Sequence, residues 1–320
     1  MNFEKSFLLF ALLILNINAM HSQNSQLVND KKPIILENIA MYQDIPYDTI
    51  RGVDSKLLSL DVYKNIEKYD TLPVIIYFHG GGWNQGDKAL PLNLIKYFTD
   101  SGYVFVSANY RLSPDPYNIK DSNRIKFPVF TDDAAKAVKW TFDNISKYGG
   151  TPSQIILMGF SAGGNIATSL ALMPEFLNKY SLFPGIIKAV VNLDGAALNI
   201  QKLINDSNGP YKEMLINAFG NTPFAWQTAS PLLNIPDSIY IPRFFCATQT
   251  NIIRRNQFQD LIDTLTVRGV IHQLYTSKYF LHNDFQQRIG ALDDPESKMY
   301  SDQILQFINA AVQRPKITFR

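Results

Sequence analysis

A serine lies between glycines in the run GFSAGG at residues 159–164. An apolar segment, residues 155–158, precedes this run, and a helix-like segment, residues 165–172, follows it. The glycines permit a sharp strand-to-helix turn that exposes Ser161, and the helix points unbonded N–H groups and a partial positive charge at the hydroxyl. A serine in this position can attack a carbonyl carbon. The context therefore favours a nucleophile elbow at Ser161 over an ordinary glycine-rich turn.

A serine hydroxyl is a poor nucleophile until a base takes its proton, and the negative oxygen that then forms needs hydrogen-bond donors. The run HGGGW at residues 79–83 directly follows an apolar segment, residues 74–78. Glycines let a main chain approach a substrate with its N–H groups exposed. We expect the N–H groups of Gly81, Gly82 and Ala162 to form an oxyanion hole. The alternative for this run is an ordinary glycine-rich loop.

The base must come from one of four histidines. His21 lies at the end of the N-terminal segment, His79 belongs to the glycine-rich loop, and His272 falls inside a predicted strand. His282 remains, and it follows the last predicted strand. We predict that His282 is the base, with an ordinary histidine in a surface loop as the alternative.

Further motifs accompany the serine and the glycine-rich loop. They are GDK at residues 86–88, NYRLSP at residues 109–114, FP at residues 127–128 followed by Asp132 and Trp140, and GG at residues 149–150. With these motifs in this order, the chain resembles the α/β-hydrolase esterases that carry an HGGG motif. It is similar in particular to the hormone-sensitive-lipase-like and BD-FAE-type carboxylesterases, over roughly residues 60–290.

The resemblance implies the α/β-hydrolase fold and the hydrolysis of carboxylic esters. Some members of the family act on acetylated or feruloylated carbohydrates, and relatives cleave formyl amides of aromatic amino acids. In the family, the histidine lies in a loop after the last strand that reaches back over the serine, as His282 would. The acid is usually an aspartate that follows a glycine in the loop after the seventh strand.

This chain departs from the family at the acid. The loop after the seventh predicted strand reads TQTNII at residues 248–253 and contains no carboxylate. Asn251 or Thr250 stands at about the expected place. Neither can neutralise a protonated histidine as a carboxylate would.

Asp194 follows the sixth predicted strand, residues 189–193, which lies beside the strand that leads to the serine. The carboxyl ends of parallel strands form the edge that holds the site in open α/β sheets. Some lipases and the platelet-activating-factor acetylhydrolases resemble this arrangement, with the acid after strand six. We therefore predict that Asp194 is the acid. Two alternatives remain: Asp194 is a structural aspartate that caps the next segment, or Asn251 orients the histidine as a neutral partner.

Apolar runs alternate with segments of helical period along the chain, which predicts the α/β class. We expect an α/β-hydrolase fold with a mostly parallel, eight-stranded central sheet flanked by helices on both faces. The predicted strands are residues 39–47, 57–63, 74–78, 104–108, 155–158, 189–193, 243–247 and 270–275; the predicted helices are residues 90–101, 131–147, 162–172, 256–268 and 296–312. Residues 33–320 are predicted to form one domain with a small lid-like insertion at about residues 198–236, where a helix is expected at residues 211–219.

Composition excludes several other classes. The 320 residues are 46% hydrophobic, enough for one large core, and a net charge of +2 without a basic cluster argues against a nucleic-acid partner. Cys246 is the only cysteine, which rules out an internal disulfide and a multi-cysteine metal site. We expect neither a cofactor nor a metal.

The N-terminus resembles a secretory signal peptide. Lys5 precedes a short apolar stretch, residues 7–15, and Ala19 stands where a signal peptidase would cleave. We predict a signal peptide at residues 1–19, a disordered polar leader at residues 20–32, and export to the periplasm or the medium with no membrane span after cleavage. A permanent anchor is the alternative, although the apolar stretch is short for a bilayer.

Together these features predict a serine carboxylesterase that hydrolyses short-chain or acetyl esters through Ser161, His282, Asp194 and an acyl-enzyme. The substrate would be a small-molecule or carbohydrate-borne ester. The alternatives are a formamidase or other amidase that uses the same residues, and a non-catalytic binding protein of the same fold. The missing aspartate after the seventh strand motivates the last of these. Neither the leaving group nor the oligomeric state follows from the sequence.

Overall fold

The computed structural model describes residues 32–69, 71–114 and 123–312. The predicted signal peptide, residues 1–19, lies outside the described residues, as do residues 20–31 of the predicted leader. Within the described residues, no helix is both long enough and apolar enough to cross a membrane.

Nine strands of the described chain form one sheet: β1 (Ile34–Leu36), β2 (Ile39–Pro46), β3 (Ser59–Asn65), β4 (Leu72–Phe78), β5 (Val104–Ala108), β6 (Gly150–Phe160), β7 (Ile187–Leu193), β8 (Arg243–Gln249) and β9 (His272–Ser277). Their order across the sheet is β1-β2-β3-β5-β4-β6-β7-β8-β9. The pairs β1/β2, β2/β3 and β3/β5 are antiparallel, and the other five pairs are parallel. The mostly parallel sheet is confirmed.

All eight predicted strands are present, and the expected count of eight was wrong by one. The additional strand, β1, is three exposed residues that pair only with β2, too short to give a periodic pattern. The strand that leads to the serine also begins earlier than predicted, at Gly150, because Gly150 pairs with Leu72 of β4. The polar residues between Gly150 and Ile155 interrupt the apolar run, so the sequence pattern did not predict this extension.

Ten helices of the described chain surround the sheet: α1 (Leu92–Asp100), α2 (Val129–Asn144), α3 (Ala162–Leu172), α4 (Glu175–Asn178), α5 (Ile200–Asp206), α6 (Gly209–Phe219), α7 (Pro223–Thr228), α8 (Ile252–Val267), α9 (Asp284–Gln287) and α10 (Pro295–Ala311). They pack against both faces of the sheet. Ile76 of β4 belongs to one buried cluster with residues of α2 and α3, whereas its neighbour Ile75 belongs to a second cluster with residues of α1 and α10. Successive side chains of a strand point to opposite faces, so each central strand contributes to both cores.

The predicted insertion at residues 198–236 contains helices α5, α6 and α7 and no strand. Its expected helix is present as α6, which starts two residues before Tyr211 because Gly209 and Pro210 form its first turn. Met214, Leu215 and Phe219 of α6 pack against the core. The insertion is therefore anchored to the domain by apolar contacts.

The parallel strands bring the candidate site residues to one edge of the sheet. In the register of the sheet, Phe160 lies opposite Leu193, and Leu193 lies opposite Ala247. The residues that follow β6, β7 and β8 consequently emerge side by side, with the loops after β4 and β9 on either flank.

Candidate active site

Ser161 occupies a sharp turn between β6 and α3. Its backbone has φ 53° and ψ −115°, a conformation that costs a non-glycine residue about 1–3 kcal/mol. The surrounding backbone holds it there: the Ser161 N–H donates to Leu193 O at 2.9 Å. A Cβ atom at Gly159 would overlap the Gly163 carbonyl, and one at Gly163 would overlap the Phe78 carbonyl. The glycines are needed because main chains approach closely here.

The structure brings the predicted nucleophile, base and acid together in one hydrogen-bonded row. His282 lies in the loop between β9 and α9, and its Nε2 is 2.9 Å from Ser161 Oγ. Its Nδ1 is 2.6 Å from Asp194 Oδ2. In such a row, the imidazole can take the serine proton through Nε2 while a carboxylate holds the proton on Nδ1.

Asp194 is fully buried, and its carboxylate has further donors at the end of β8. Thr248 Oγ1 donates to Oδ1 at 2.8 Å, and Gln249 Nε2 donates to Oδ2 at 3.1 Å. The backbone of Asp194 has φ 55°, and its N–H donates to Ala247 O at 2.8 Å. A buried carboxylate is costly unless hydrogen bonds satisfy it. The family usually places its acid after this strand, β8. Here the end of β8 instead supplies hydrogen-bond donors to Asp194, which follows the neighbouring strand β7.

Asn251, the alternative partner of the histidine, has a different role in the structure. Its side-chain oxygen accepts hydrogen bonds from the N–H groups of Ile253 and Arg254 at 3.1 and 3.3 Å. It is therefore the N-cap of α8, which begins four residues before the helix predicted from residue 256. Asp284 accepts a hydrogen bond from the Leu281 N–H and closes the turn beside His282.

The loop after β4 carries the predicted oxyanion donors. Gly81 and Gly82 have φ of 114° and 58°, and the carbonyl of Gly81 accepts the N–H groups of Asn84 and Gln85. Among the residues that the structure describes, no acceptor is hydrogen-bonded to the N–H groups of Gly81, Gly82 or Ala162. Within the described chain these three N–H groups are therefore available to an acceptor from a bound molecule.

The other two histidines of the described chain do not join this row. His79 is buried, its Nδ1–H donates to Gly80 O at 2.7 Å, and its ring stacks on Tyr110 at 4.3 Å. Burial lowers the pKa of His79 to about 4, so the imidazole is neutral and supports the glycine-rich loop. His272 stands at the start of β9, where its Nδ1 contacts Val270 O at 2.8 Å.

Helix α6 contacts the glycine-rich loop of the site. A Cβ atom at Gly82 would overlap Met214 Sδ, so Met214 lies directly against the glycine-rich loop. Tyr211 lies one turn earlier on α6. Burial raises the pKa of Tyr211, the Arg254 cation acts to lower it, and the Asp194 carboxylate acts to raise it.

Arg254 of α8 completes the surroundings of Asp194. Its Nη1 donates to Asp194 O at 2.7 Å and lies 3.4 Å from Asp194 Oδ2. The sequence did not single out this arginine, Thr248, Gln249, Tyr211 or Met214. The polar residues at the end of β8 were the one available signal, since they follow a strand adjacent to that of Asp194.

Comparisons with known proteins agree with this architecture. Carboxylesterase NlhH of Mycobacterium tuberculosis is 30% identical over 177 residues, which are 54% of this chain and 50% of that protein. Versiconal hemiacetal acetate esterase of Dothistroma septosporum is 30% identical over 210 residues, 64% of this chain and 56% of that protein. The chain thus spans about half the length of the curated relatives it matches.

Among solved structures, esterase B of Lactobacillus Rhamnosis has a TM-score of 0.67 at 18% identity and covers 96% of each chain. A hyperthermophilic esterase of Pyrobaculum calidifontis has a TM-score of 0.60 at 24% identity and covers 79% of this chain and 82% of that one. These likenesses establish the α/β-hydrolase fold. Residues 60–265 match the model of the BD-FAE family. The match includes the glycine-rich loop, the serine turn and Asp194, and the chain belongs to the BD-FAE family.

Proposed function

We propose that the protein is a serine hydrolase of carboxylic esters, with Ser161 as nucleophile, His282 as base and Asp194 as acid. The observation that carries the proposal is the continuous row from Ser161 Oγ to His282 Nε2, at 2.9 Å, and from His282 Nδ1 to Asp194 Oδ2, at 2.6 Å. Relatives named as esterases support the reaction class.

The reaction follows from the positions of these atoms. Ser161 Oγ attacks the ester carbonyl carbon while its proton moves to His282 Nε2, and the carbonyl oxygen becomes negative. The N–H groups of Gly81, Gly82 and Ala162 donate to that oxygen. When the carbonyl re-forms, the alcohol leaves with the proton from Nε2 and an acyl-serine remains. Water, deprotonated by the same nitrogen, then releases the acid and restores the serine.

Asp194 has two tasks in this scheme. It accepts a hydrogen bond from the Nδ1–H of His282 and so keeps Nε2 free to receive the serine proton. Its negative charge also stabilises the imidazolium that forms at each transfer. The contact between Asp194 and His282 argues against a non-catalytic protein, because a missing acid was the reason to consider one.

We further propose that the acyl group is short, with acetyl esters of small molecules or carbohydrates as the substrate class. Met214 lies against Gly82, one of the three proposed oxyanion donors, and so occupies space beside the place proposed for the acyl group. The sulfur leaves little room for a long chain. The name of the Dothistroma relative, an acetate esterase, supports the same class. An acetyl ester outside the cell would fit export through residues 1–19.

Ester turnover tests the function directly. Wild-type protein should hydrolyse p-nitrophenyl acetate and react with a fluorophosphonate probe, whereas Ser161→Ala should lose both properties. Ser153→Ala, an exposed serine on the same strand, serves as the matched control and should retain them. Labelling of the Ser161→Ala variant would show that the nucleophile lies elsewhere. A panel of longer p-nitrophenyl esters, acetylated xylan and N-formylkynurenine separates an esterase from an amidase.

A further inference from the structure

The imidazole of His282 is oriented by side chains that belong to other elements. The His282 side chain is 31% exposed, and its chain neighbour Leu281 is 74% exposed. Hydrogen bonds hold two atoms of the ring, Nε2 beside Ser161 Oγ and Nδ1 beside Asp194 Oδ2. The ring also packs against the phenyl ring of Phe160, with 4.7 Å between the ring centres and 37° between the ring planes.

Phe160 is itself held firmly. It is the last residue of β6, it is only 7% exposed, and it pairs with Leu193 of β7, the residue before Asp194. A Cβ atom at Gly80 would overlap Phe160 Cδ1, so the phenyl ring lies directly against the glycine-rich loop. The same ring therefore contacts the candidate base and the donor loop, and it immediately precedes the candidate nucleophile in the chain.

The main chain of the loop that carries His282 is anchored by other residues. Phe280 and Phe285 stand on either side of the loop, both are buried, and their ring centres are 5.5 Å apart. The hydroxyl of Tyr300 donates to Phe285 O at 3.0 Å. Loss of the Phe160 ring should therefore free the imidazole to turn without displacing its loop.

The contacts of the imidazole change during the proposed reaction. In the free enzyme, the hydroxyl of Ser161 donates its proton toward His282 Nε2. Once Ser161 Oγ is bonded to the acyl carbon, it has no proton to donate and this hydrogen bond is lost. Of the contacts described, those with Asp194 and Phe160 remain. A single hydrogen bond at Nδ1 leaves the ring free to rotate about that bond, so the contact with Phe160 fixes the direction of Nε2.

We propose that Phe160 is a positioning residue for deacylation, because its ring keeps His282 Nε2 directed at the acyl carbonyl. In this step a water oxygen bonds to the acyl carbon while a proton of the water moves to Nε2. The bond from that carbon to Ser161 Oγ then breaks, and Oγ takes the proton back from Nε2. The proposal rests on the proposed function, since it concerns the second half of that reaction.

The amount of acyl-enzyme present during turnover tests this role. At saturating p-nitrophenyl acetate, the ratio of acetylated to free protein equals the ratio of the acylation and deacylation rate constants. Rapid quenching followed by mass spectrometry of the intact protein measures this ratio. Phe160→Leu should raise it about tenfold, the upper range for a contact between two aromatic rings. The values of kcat and KM should fall together, and kcat/KM should stay within about threefold of wild type.

Two further variants separate positioning from general destabilisation. Phe160→Tyr keeps the ring and should keep the ratio within about twofold of wild type. Phe98→Leu is the matched control, because Phe98 of α1 is fully buried and its ring stacks on Phe105 of β5. It should leave the ratio unchanged. If thermal unfolding shows that Phe160→Leu is not folded, Phe160→Met takes its place.

The outcome in wild-type protein distinguishes this role from the proposed function. An unchanged ratio in Phe160→Leu, with kcat and kcat/KM lowered equally or not at all, would overturn the positioning role, and the esterase function would stand. If wild-type protein neither releases p-nitrophenol nor becomes acetylated, the esterase function fails, and the role in deacylation fails with it.

Discussion

Replacing Asp194 by asparagine removes one negative charge from a fully buried position with almost no change in volume. The new amide has two orientations. With its nitrogen toward His282, it donates to Nδ1, which forces the proton onto Nε2 and blocks transfer from Ser161. With its oxygen toward His282, it preserves the tautomer but leaves the imidazolium without a counter-charge. Both orientations raise the barrier to proton transfer.

We expect Asp194→Asn to lower kcat for p-nitrophenyl acetate by about three to four orders of magnitude, the size of the effect in serine proteases. This corresponds to about 4–5.5 kcal/mol in the activation barrier. Substrate binding does not involve the carboxylate, so KM should change little. Thermal unfolding should show that the variant is folded.

Asp263→Asn is the control for the loss of a carboxylate, because Asp263 is exposed on α8 and, in the part of the chain that the structure describes, accepts a hydrogen bond only from Gln259. It should keep wild-type turnover. Asp194→Asn with activity within about tenfold of wild type, together with a large loss in Asn251→Ala, would refute the assignment of the acid.

Two further predictions concern the acyl pocket and the stability of the glycine-rich loop. Met214→Ala should open the space beside Gly82. It should raise the ratio of p-nitrophenyl hexanoate turnover to p-nitrophenyl acetate turnover by about tenfold, the scale of one or two methylene groups in an apolar pocket. The control Met299→Ala, on the exposed side of α10, should leave this ratio unchanged. The buried, neutral His79 has a pKa of about 4 against an ordinary value of 6.5. Below pH 6.5 this histidine takes up a proton in the unfolded chain but not in the folded protein. The free energy of unfolding therefore falls by about 3 kcal/mol between pH 6.5 and pH 4. Well above pH 6.5 the histidine is neutral in both states, so its effect on stability does not change with pH. Urea unfolding should show a shallower loss over this range in His79→Gln than in wild type or in the control His272→Gln, and equal slopes would contradict the prediction.

Features that depend on residues adjacent in the sequence could be predicted from the sequence. The turn at Ser161 and the donor loop at Gly81 and Gly82 each depend on a strand followed at once by glycines, which is a local pattern. Eight of the nine strands were predicted for the same reason, because apolar runs mark buried strands. His282 could be predicted by elimination, since the other histidines stand in places unsuited to a base.

The partner of His282 depended on the fold. Asp194 and Asn251 both follow strands that end at the same edge of the sheet, and the sequence left both open together with a capping role for Asp194. The tertiary structure places Asp194 against His282, although the two are 88 residues apart, and uses Asn251 to cap α8. Such contacts depend on strand register and loop path, which no local pattern encodes.

The same reason explains why Thr248, Gln249, Arg254, Tyr211 and Met214 escaped notice. Each belongs to a helix or strand whose sequence is ordinary. Thr248, Gln249 and Arg254 contact Asp194, and Met214 lies against Gly82, only when β8, α8 and the insertion pack against the sheet. The sequence by itself therefore determined the fold class, the serine turn and the donor loop, because these are written in adjacent residues. Which carboxylate contacts the histidine, and what surrounds the substrate, were decided by packing between distant segments.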